Sequence, residues 1–195
     1  MKKIIYIPLF FVALTTGVVF AQKEKKVSPE ESQQEMLETL RKDARAALKP
    51  YRYDASKTTI FSYKQFDYVK EVEIALSNSA EYIFSVNANG VQHDKITLLV
   101  YDKPEGAKGR VLLYEKKNVG GNNFTFKSDE LLEKMKEDRK AKGVDQTVID
   151  RMYLKNVYVD FVIPAVEKEV EADKKGEVVV VKKGAVVIAV GYDNI

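Results

Sequence analysis

The 195-residue sequence contains no cysteine and no tryptophan, and it has a single histidine. Without cysteine the chain forms no disulfide. Lipoprotein processing, which requires a cysteine at the new N-terminus, is excluded as well. The fold must therefore be stabilised by a hydrophobic core, and a chain of this length is long enough to form one.

The lone histidine limits the catalytic chemistry open to this chain. Every Ser-His-Asp or Cys-His arrangement would have to use His93, and no G-x-S-x-G or S-x-x-K signature accompanies it. His93 lies in "NGVQHDK", among turn-forming and polar residues. We therefore predict a solvated loop side chain at this position, without a catalytic role.

Metal binding and nucleic-acid binding also find little support. One histidine and no cysteine cannot supply the nitrogen and sulfur ligands of a zinc site. The calcium-loop pattern is missing, and Asp94, Asp102 and Glu105 are spaced as turn residues, although a calcium site assembled from separate loops stays open. The formal net charge is +3, and it falls to +1 without residues 1–21, which hold two lysines and no acid; a nearly neutral chain has no electrostatic basis for binding nucleic acid. We predict no metal, no cofactor and no nucleic-acid partner.

The N-terminal residues have the pattern of a cleavable signal peptide. Lys2 and Lys3 precede a nearly continuous apolar stretch, which ends in the small-residue site "VFA" at Ala21. An uncleaved membrane anchor is the alternative, because the stretch approaches the length that spans a bilayer. No stop-transfer flank follows Ala21, and no later segment is apolar enough to span a membrane. We therefore predict cleavage after residue 21 and export to the periplasm or the medium.

A charged segment, residues 22–27, precedes a helix that the sequence delimits clearly. Ser28 is a suitable N-cap, Pro29 fits the first helical position, Glu31 completes a capping box, and Pro50 ends the element. The apolar residues fall on one narrow face: Met36, Leu37, Leu40, Ala44, Ala47 and Leu48. We expect this helix to pack on its own domain, and a partner-binding helix is the alternative.

From Tyr51 onward the apolar period changes from helical to two, which is typical of strands with one buried face. The turn formers "NANG" interrupt the pattern at residues 87–90. Short connections favour antiparallel pairing. Residues 128–155 have helical spacing and are interpreted as a helical insertion, with Val148, Ile149, Met152 and Tyr153 toward the sheet. The predicted strands are "TTIFSY", "VEIAL", "YIFSV", "ITLLV", "RVLLYE", "NFTFK", "NVYVDFVI", "EVVVV" and "AVVIAVGY", the last two central to the sandwich.

Two kinds of residue are candidates for a site. The tyrosines of "YRY" and "FSYKQFDY" could stack on sugars or contact a protein, or they could line the edges of the core; a ligand-binding patch would use Tyr51, Tyr53, Tyr63 and Tyr68. Carboxylate pairs could hydrolyse glycosides, and the pairs available are Glu71 with Glu73 and the cluster of Glu167, Glu169 and Glu171. Charges on the solvated face of a strand more often serve solubility. The glycine-rich "NVGGNN" lacks the lysine of a phosphate loop and is interpreted as a connection between strands.

The order of the segments "KEVEIAL", "AEYIFSVNANG", "DKITLLVYD", "RVLLYE" and "GAVVIAVGY" resembles the prepeptidase C-terminal-type jelly-roll domains of secreted bacterial proteins. The likeness covers residues 58–192, with the helical insertion as a departure. The signal ending in "AQ" and the rest of the chain also resemble uncharacterised exported proteins of the Bacteroidetes type. The resemblance implies a β-sandwich used as a binding or accessory module, and it assigns no functional residue.

The sequence thus predicts a mainly β protein. Residues 1–21 form the signal peptide and 22–50 the charged segment and N-terminal helix. Residues 51–195 form an antiparallel jelly-roll-like β-sandwich with a helical insertion at 128–155. Its predicted function is non-catalytic binding of a protein or glycan of the cell envelope. A carboxylate-dependent hydrolase and a structural subunit that assembles through an unpaired edge strand are the alternatives.

Overall fold

The computed structural model describes residues 29–91, 95–166, 170–173, 176–179 and 183–194. Three helices are α1 (Pro29–Ala46), α2 (Ser128–Ala141) and α3 (Gln146–Ile149). The strands are β1 (Arg52–Ser62), β2 (Tyr68–Ala75), β3 (Ala80–Gly90), β4 (Thr97–Tyr101), β5 (Leu112–Lys116), β6 (Asn123–Lys127), β7 (Asn156–Ile163), β8 (Val170–Asp173), β9 (Gly176–Val179) and β10 (Lys183–Asn194). None of the helices within these ranges is long and apolar enough to cross a membrane.

Eight strands form a jelly roll, as the sequence predicts. One antiparallel sheet has the order β1-β10-β3-β6, and the other has the order β2-β7-β4-β5. Consecutive strands switch between the sheets except at β4 and β5, which is the double-sheet arrangement of a jelly roll. Side chains from the inner faces of both sheets form one core cluster, because residues of β2, β4 and β7 pack with residues of β3, β6 and β10.

The strand directions place the connections at two opposite ends of the sandwich. The loop end carries residues 63–67, 91, 95–96, 117–122 and 164–166. The helical end carries residues 76–79, the β4–β5 loop at 102–111, and α2 with α3. A hydrogen bond from Val119 N to the Ile96 carbonyl oxygen joins loops at the first end. One from Leu76 N to the Lys155 carbonyl oxygen joins segments at the second.

The helical insertion closes one side of the sandwich. Helix α2 contacts β3, β5 and β6, and it places Leu131 and Met135 in the core. Gly143 follows α2 with a φ of 75°, a conformation that favours glycine just past a helix C-terminus. The opposite side, between edge strands β1 and β2, has no such cover among the described residues and contains an open cleft of about 650 Å³.

Helix α1 packs on the outer face of the first sheet, which confirms the prediction that it docks on its own domain. Leu40, Ala44 and Leu48 are buried against β3 and β10, whereas Met36 and Ala47, predicted on the same face, are exposed. The buried residues are spaced by four positions, so the contact is a single stripe. The sheet approaches the helix so closely that a Cβ on Gly90 would lie 2.8 Å from Leu40 Cδ1.

Three local predictions are wrong. Asn87 and Gly90 of the supposed "NANG" turn belong to β3, where the buried Asn87 amide donates to the Leu40 carbonyl oxygen at 3.3 Å. Residues 177–179 do not form a central strand, since β9 pairs with β8 in a separate two-stranded sheet. Val148 is exposed, and only Ile149 of α3 is buried, so a four-residue helix turns one side chain inward. By contrast "AVVIAV" is central and buried, between β1 and β3.

Candidate functional site

The four candidate tyrosines do not form one patch. Tyr51 and Tyr53 lie near the helical end of β1, and Tyr63 and Tyr68 lie near its loop end. The length of β1 separates the two pairs by about 30 Å. Tyr63 is only 8% exposed and packs edge-on against Phe61 in the core. For Tyr63 the structure therefore supports the alternative, a side chain that packs in the core.

The other three tyrosines have internal partners. The Arg45 guanidinium lies 4.3 Å from the centre of the Tyr53 ring, and the Tyr53 hydroxyl donates to Ser56 Oγ. Tyr51 is half-buried beside α1. The Tyr68 hydroxyl donates to the Ser62 carbonyl oxygen, and burial raises the pKa of Tyr68 by more than this bond lowers it. These contacts hold the rings on their own fold, and only Tyr53 presents a substantial exposed fraction.

The predicted pair of carboxylates, Glu71 and Glu73, lies on the outer face of the second sheet. Glu71 Oε2 accepts from Arg110 at 2.8 Å and from the Glu105 amide at 2.7 Å. Glu73 Oε1 accepts from Asn156 at 2.8 Å and from the Tyr158 hydroxyl at 3.2 Å. Both carboxylates therefore have a structural role, because their hydrogen bonds connect strands and loops.

Arg110 is the centre of the polar cluster on that face. Its guanidinium binds Asp160 through two hydrogen bonds and stacks 3.6 Å from the centre of the Tyr101 ring. Burial lowers the pKa of Arg110, but the hydrogen bond and charge of Asp160 and the charge of Glu71 raise it by more. Because these carboxylates already occupy its hydrogen-bond donors, the Arg110 guanidinium anchors residues 102–111 to the sheet and has few donors left for an external anion.

A solvent-accessible groove opens at the helical end. It encloses about 180 Å³ between the β2–β3 turn, the first turn of α2 and the segment after α3. Its floor is apolar, and its rim carries hydroxyl, amide and carboxylate groups. The lining residues are Leu76, Ser77, Asn78, Ala80, Glu81, Tyr82, Ser128, Asp129, Leu132, Tyr153 and Leu154.

Hydrogen bonds fix the geometry of this helical-end groove. Ser77 N donates to the Tyr82 hydroxyl at 3.0 Å, and Tyr82 N donates to Ser128 Oγ at 2.9 Å. The residue at the N-cap of α2 is Lys127, and Ser128, the first residue of the helix, joins the helix to β3. Together with the bond from Leu76 N to the Lys155 carbonyl oxygen, these bonds join the β2–β3 turn and the start of β3 to both other walls of the groove.

The rim of the groove is acidic and partly aromatic. Glu81 and Asp129 are both exposed, and Tyr153 is 44% exposed, in contrast to its predicted position against the sheet. Lys127 lies nearby without lining the groove. A hydrogen bond to Tyr51 raises its pKa, and the charges of Tyr51, Asp129 and Glu81 raise it further.

Sequence reasoning missed this groove because its walls come from segments about 25 to 75 residues apart, which only the jelly-roll connections bring together. Several predicted features fall outside the described residues: the signal peptide, the charged segment, Ser28, His93, Glu167 and Glu169. Glu171 belongs to β8. Among the residues that the structure does describe, no group of three or more His, Cys, Asp or Glu side chains could hold a metal ion.

The geometry defines a jelly-roll β-sandwich with a groove at its helical end. Comparison with protein-family models, curated proteins and solved structures finds no match to this chain. The resemblance to prepeptidase C-terminal-type domains therefore stays a prediction.

Proposed function

We propose that the protein is an exported, non-catalytic binding module of the cell envelope, and that it binds a protein or a glycan in the helical-end groove. The observation that carries this proposal is the groove itself, an open apolar floor with a rim of oxygen atoms. Hydrogen bonds from the β2–β3 turn to the segment after α3, and from the start of β3 to α2, hold it in a fixed shape, and pre-formed concave sites of this kind are where ligands bind.

The proposal of export rests on the pattern of residues 1–21. Expression of the full chain with a C-terminal tag, followed by cell fractionation and intact-mass measurement, tests it. We expect a mature chain that begins at Gln22 in the periplasm or medium. A chain of full mass that stays with the membrane would instead support an uncleaved anchor.

A hydrolase in the same groove is the second candidate, because Glu81 and Asp129 both line it. Two carboxylates across a cleft are the usual catalytic pair of a glycosidase. The general acid of such a pair is commonly sheltered, since burial raises its pKa and keeps it protonated at neutral pH. Both side chains here are exposed, which favours recognition over proton transfer.

Binding is tested with two separate probes, soluble polysaccharides with cell-wall fragments, and envelope proteins. A ligand at 100 times its Kd raises the free energy of unfolding by about 2.7 kcal/mol, which a thermal-shift measurement detects. We expect a shift for the wild type and for Tyr53→Ala. We expect none for Ala80→Phe, which fills the groove, and about half the wild-type stabilisation for Tyr153→Ala, which removes a wall. A shift of wild-type size in both groove variants would overturn the assignment of the site.

Catalysis is tested on the same polysaccharides by measuring the release of reducing ends. We expect no release above a buffer blank. Release that Glu81→Gln or Asp129→Asn abolishes, while Glu71→Gln retains it, would establish the hydrolase instead.

A further inference from the structure

We infer that the helical-end groove accommodates one neutral sugar ring, as found at the end of a glycan chain. This inference rests on the proposed function, and it selects the glycan among the two kinds of ligand. It follows from three properties of the groove: its volume, its apolar floor and the charge of its rim.

The volume of the groove matches one six-membered ring. A cavity of about 150 Å³ is large enough for benzene, and the groove encloses about 180 Å³. A ring with hydroxyl substituents fits this space, whereas a disaccharide would have to leave its second ring outside. The site would therefore hold the last residue of a chain or a single sugar.

The walls suit the two sides of a sugar. A sugar ring has an apolar face of C–H groups, which packs on aliphatic and aromatic side chains. Leu132 and Leu154 supply aliphatic surface and Tyr153 supplies an exposed ring at the mouth. The Lys155 ammonium lies 5.8 Å from the centre of that ring, near the limit of about 6 Å for a cation–π contact, and so holds it weakly.

The polar groups of the rim suit hydroxyl groups better than an apolar side chain of a protein. Glu81 and Asp129 accept hydrogen bonds, and Asn78 both donates and accepts. The buried Tyr82 hydroxyl accepts from Ser77 N, and its own proton goes to no acceptor within the described part of the chain. A leucine or phenylalanine in the groove would leave such groups without partners, at about 1–3 kcal/mol for each one that becomes buried.

The charge of the rim excludes acidic ligands. The lining has two carboxylates, and the described residues that form it include no Lys, Arg or His. The two lysines described beside the groove do not line it: the Lys127 ammonium lies 6.0 Å from the centre of the Tyr51 ring, and the Lys155 ammonium lies 5.8 Å from that of Tyr153. A phosphate, a sulfate or a uronic acid would meet two carboxylates and no cation in the lining, which favours an uncharged donor of hydroxyl groups.

The test is a two-dimensional NMR titration of the protein with the methyl glycosides of glucose, galactose, mannose and N-acetylglucosamine. Glucuronic acid and cyclohexanol serve as the acidic and the apolar comparison. We expect at least one neutral glycoside to shift the amide signals of residues 77–82 and 128–132 with a Kd in the millimolar range. Tyr153→Ala and Asp129→Ala should each weaken it about tenfold, or 1.4 kcal/mol. Tyr53→Ala, at an exposed tyrosine that does not line the groove, should leave it unchanged.

The inference is overturned if no neutral glycoside shifts these signals, or if cyclohexanol or glucuronic acid binds as tightly as the best glycoside. Unchanged binding in Tyr153→Ala would also overturn it. If the glycosides fail while an envelope protein stabilises the wild type and not Ala80→Phe, the sugar inference falls and the proposed function stands. If neither kind of ligand depends on the groove, both fall.

Discussion

Arg110 binds Asp160 through two parallel hydrogen bonds, of 2.9 Å from Nη1 to Oδ2 and 3.0 Å from Nη2 to Oδ1. Asp160 lies on β7, in the middle of the second sheet, and only 5% of its side chain is exposed. Arg110 comes from the end of the β4–β5 loop. The pair therefore fastens a surface loop to the centre of a sheet, and it compensates a carboxylate that has almost no access to water.

We predict that Arg110→Ala lowers the free energy of unfolding by about 3–5 kcal/mol, the usual cost of leaving one member of a buried ion pair without its partner. The measurement is urea unfolding at neutral pH. Lys142→Ala is the control, because its bond to Asp138 is on the surface, with 52% of the lysine side chain exposed. Such a pair contributes about 0.2–1 kcal/mol. Equal effects of the two substitutions would show that Asp160 finds water or another partner when Arg110 is removed.

Docking of α1 on the first sheet gives a second prediction. Leu40 of α1 packs against β3 and β10 and is only 3% exposed. Leu40→Ala removes buried apolar surface and should lower the free energy of unfolding by about 2–5 kcal/mol. Met36 on the same helix is 37% exposed, and Met36→Ala should cost well under 1 kcal/mol. Both are measured by urea unfolding. A small effect of Leu40→Ala would mean that α1 contributes little to the stability of the sandwich.

Much of this fold can be predicted from the sequence, because most strands have one buried and one exposed face. The sequence predicts a strand at "NVYVDFVI", residues 156–163, and β7 has these bounds. The apolar run at residues 177–179 was misplaced, because a run of valines indicates a strand without indicating which strand it pairs with. Asn87 and Gly90 were misinterpreted as a turn, since only the packed helix shows why a buried amide and a missing Cβ are needed there.

The candidate site was harder to predict than the fold. Residue type alone selected tyrosines, but Tyr63 is in the core and Tyr53 is stacked with Arg45. The groove depends on Asp129 and Tyr153, which are 24 residues apart, and on the turn before β3. Nothing in local spacing brings these segments together; the jelly-roll order of strands does.

The pH dependence of stability gives a third prediction. Burial raises the pKa of Tyr114, and the charge of Glu130 raises it further. Below the unfolded pKa of about 10 the phenol is neutral in both states. At higher pH the unfolded chain loses this proton first, so the contribution to stability is lost as the pH rises through the folded pKa.

We therefore expect Tyr114→Phe to lose less stability than the wild type between about pH 9 and pH 11, near the reference tyrosine pKa. At pH 7 the two should be similar, because the ring keeps its stacking on Phe126, with centroids 4.7 Å apart. The measurement is urea unfolding across this range, with Tyr153→Phe as the exposed control. Identical alkaline slopes for Tyr114→Phe and the wild type would contradict the prediction.

The open side of the sandwich gives the last prediction, and it concerns assembly through an edge strand. Each edge strand carries a lysine on its core-facing side: Lys57 is paired with Ile188, and Lys70 with Phe161, and both partners are core residues. Both lysines are exposed at the edge. A charge that points inward on an edge strand opposes the addition of another strand, since the added strand would cover it. The irregular pairing between Tyr53 and Ala55 further disrupts the edge of β1.

We predict that the protein does not assemble through these edges, and that Lys57→Val creates an edge that does. Sedimentation velocity over a range of concentrations should show the variant forming dimers or larger species while the wild type keeps a constant mass. Lys140→Val removes the same charge and adds the same side chain on the exposed surface of α2, and it should behave as the wild type does. Concentration-dependent assembly of the wild type would support the structural-subunit alternative, because the two lysines would then fail to protect the edges.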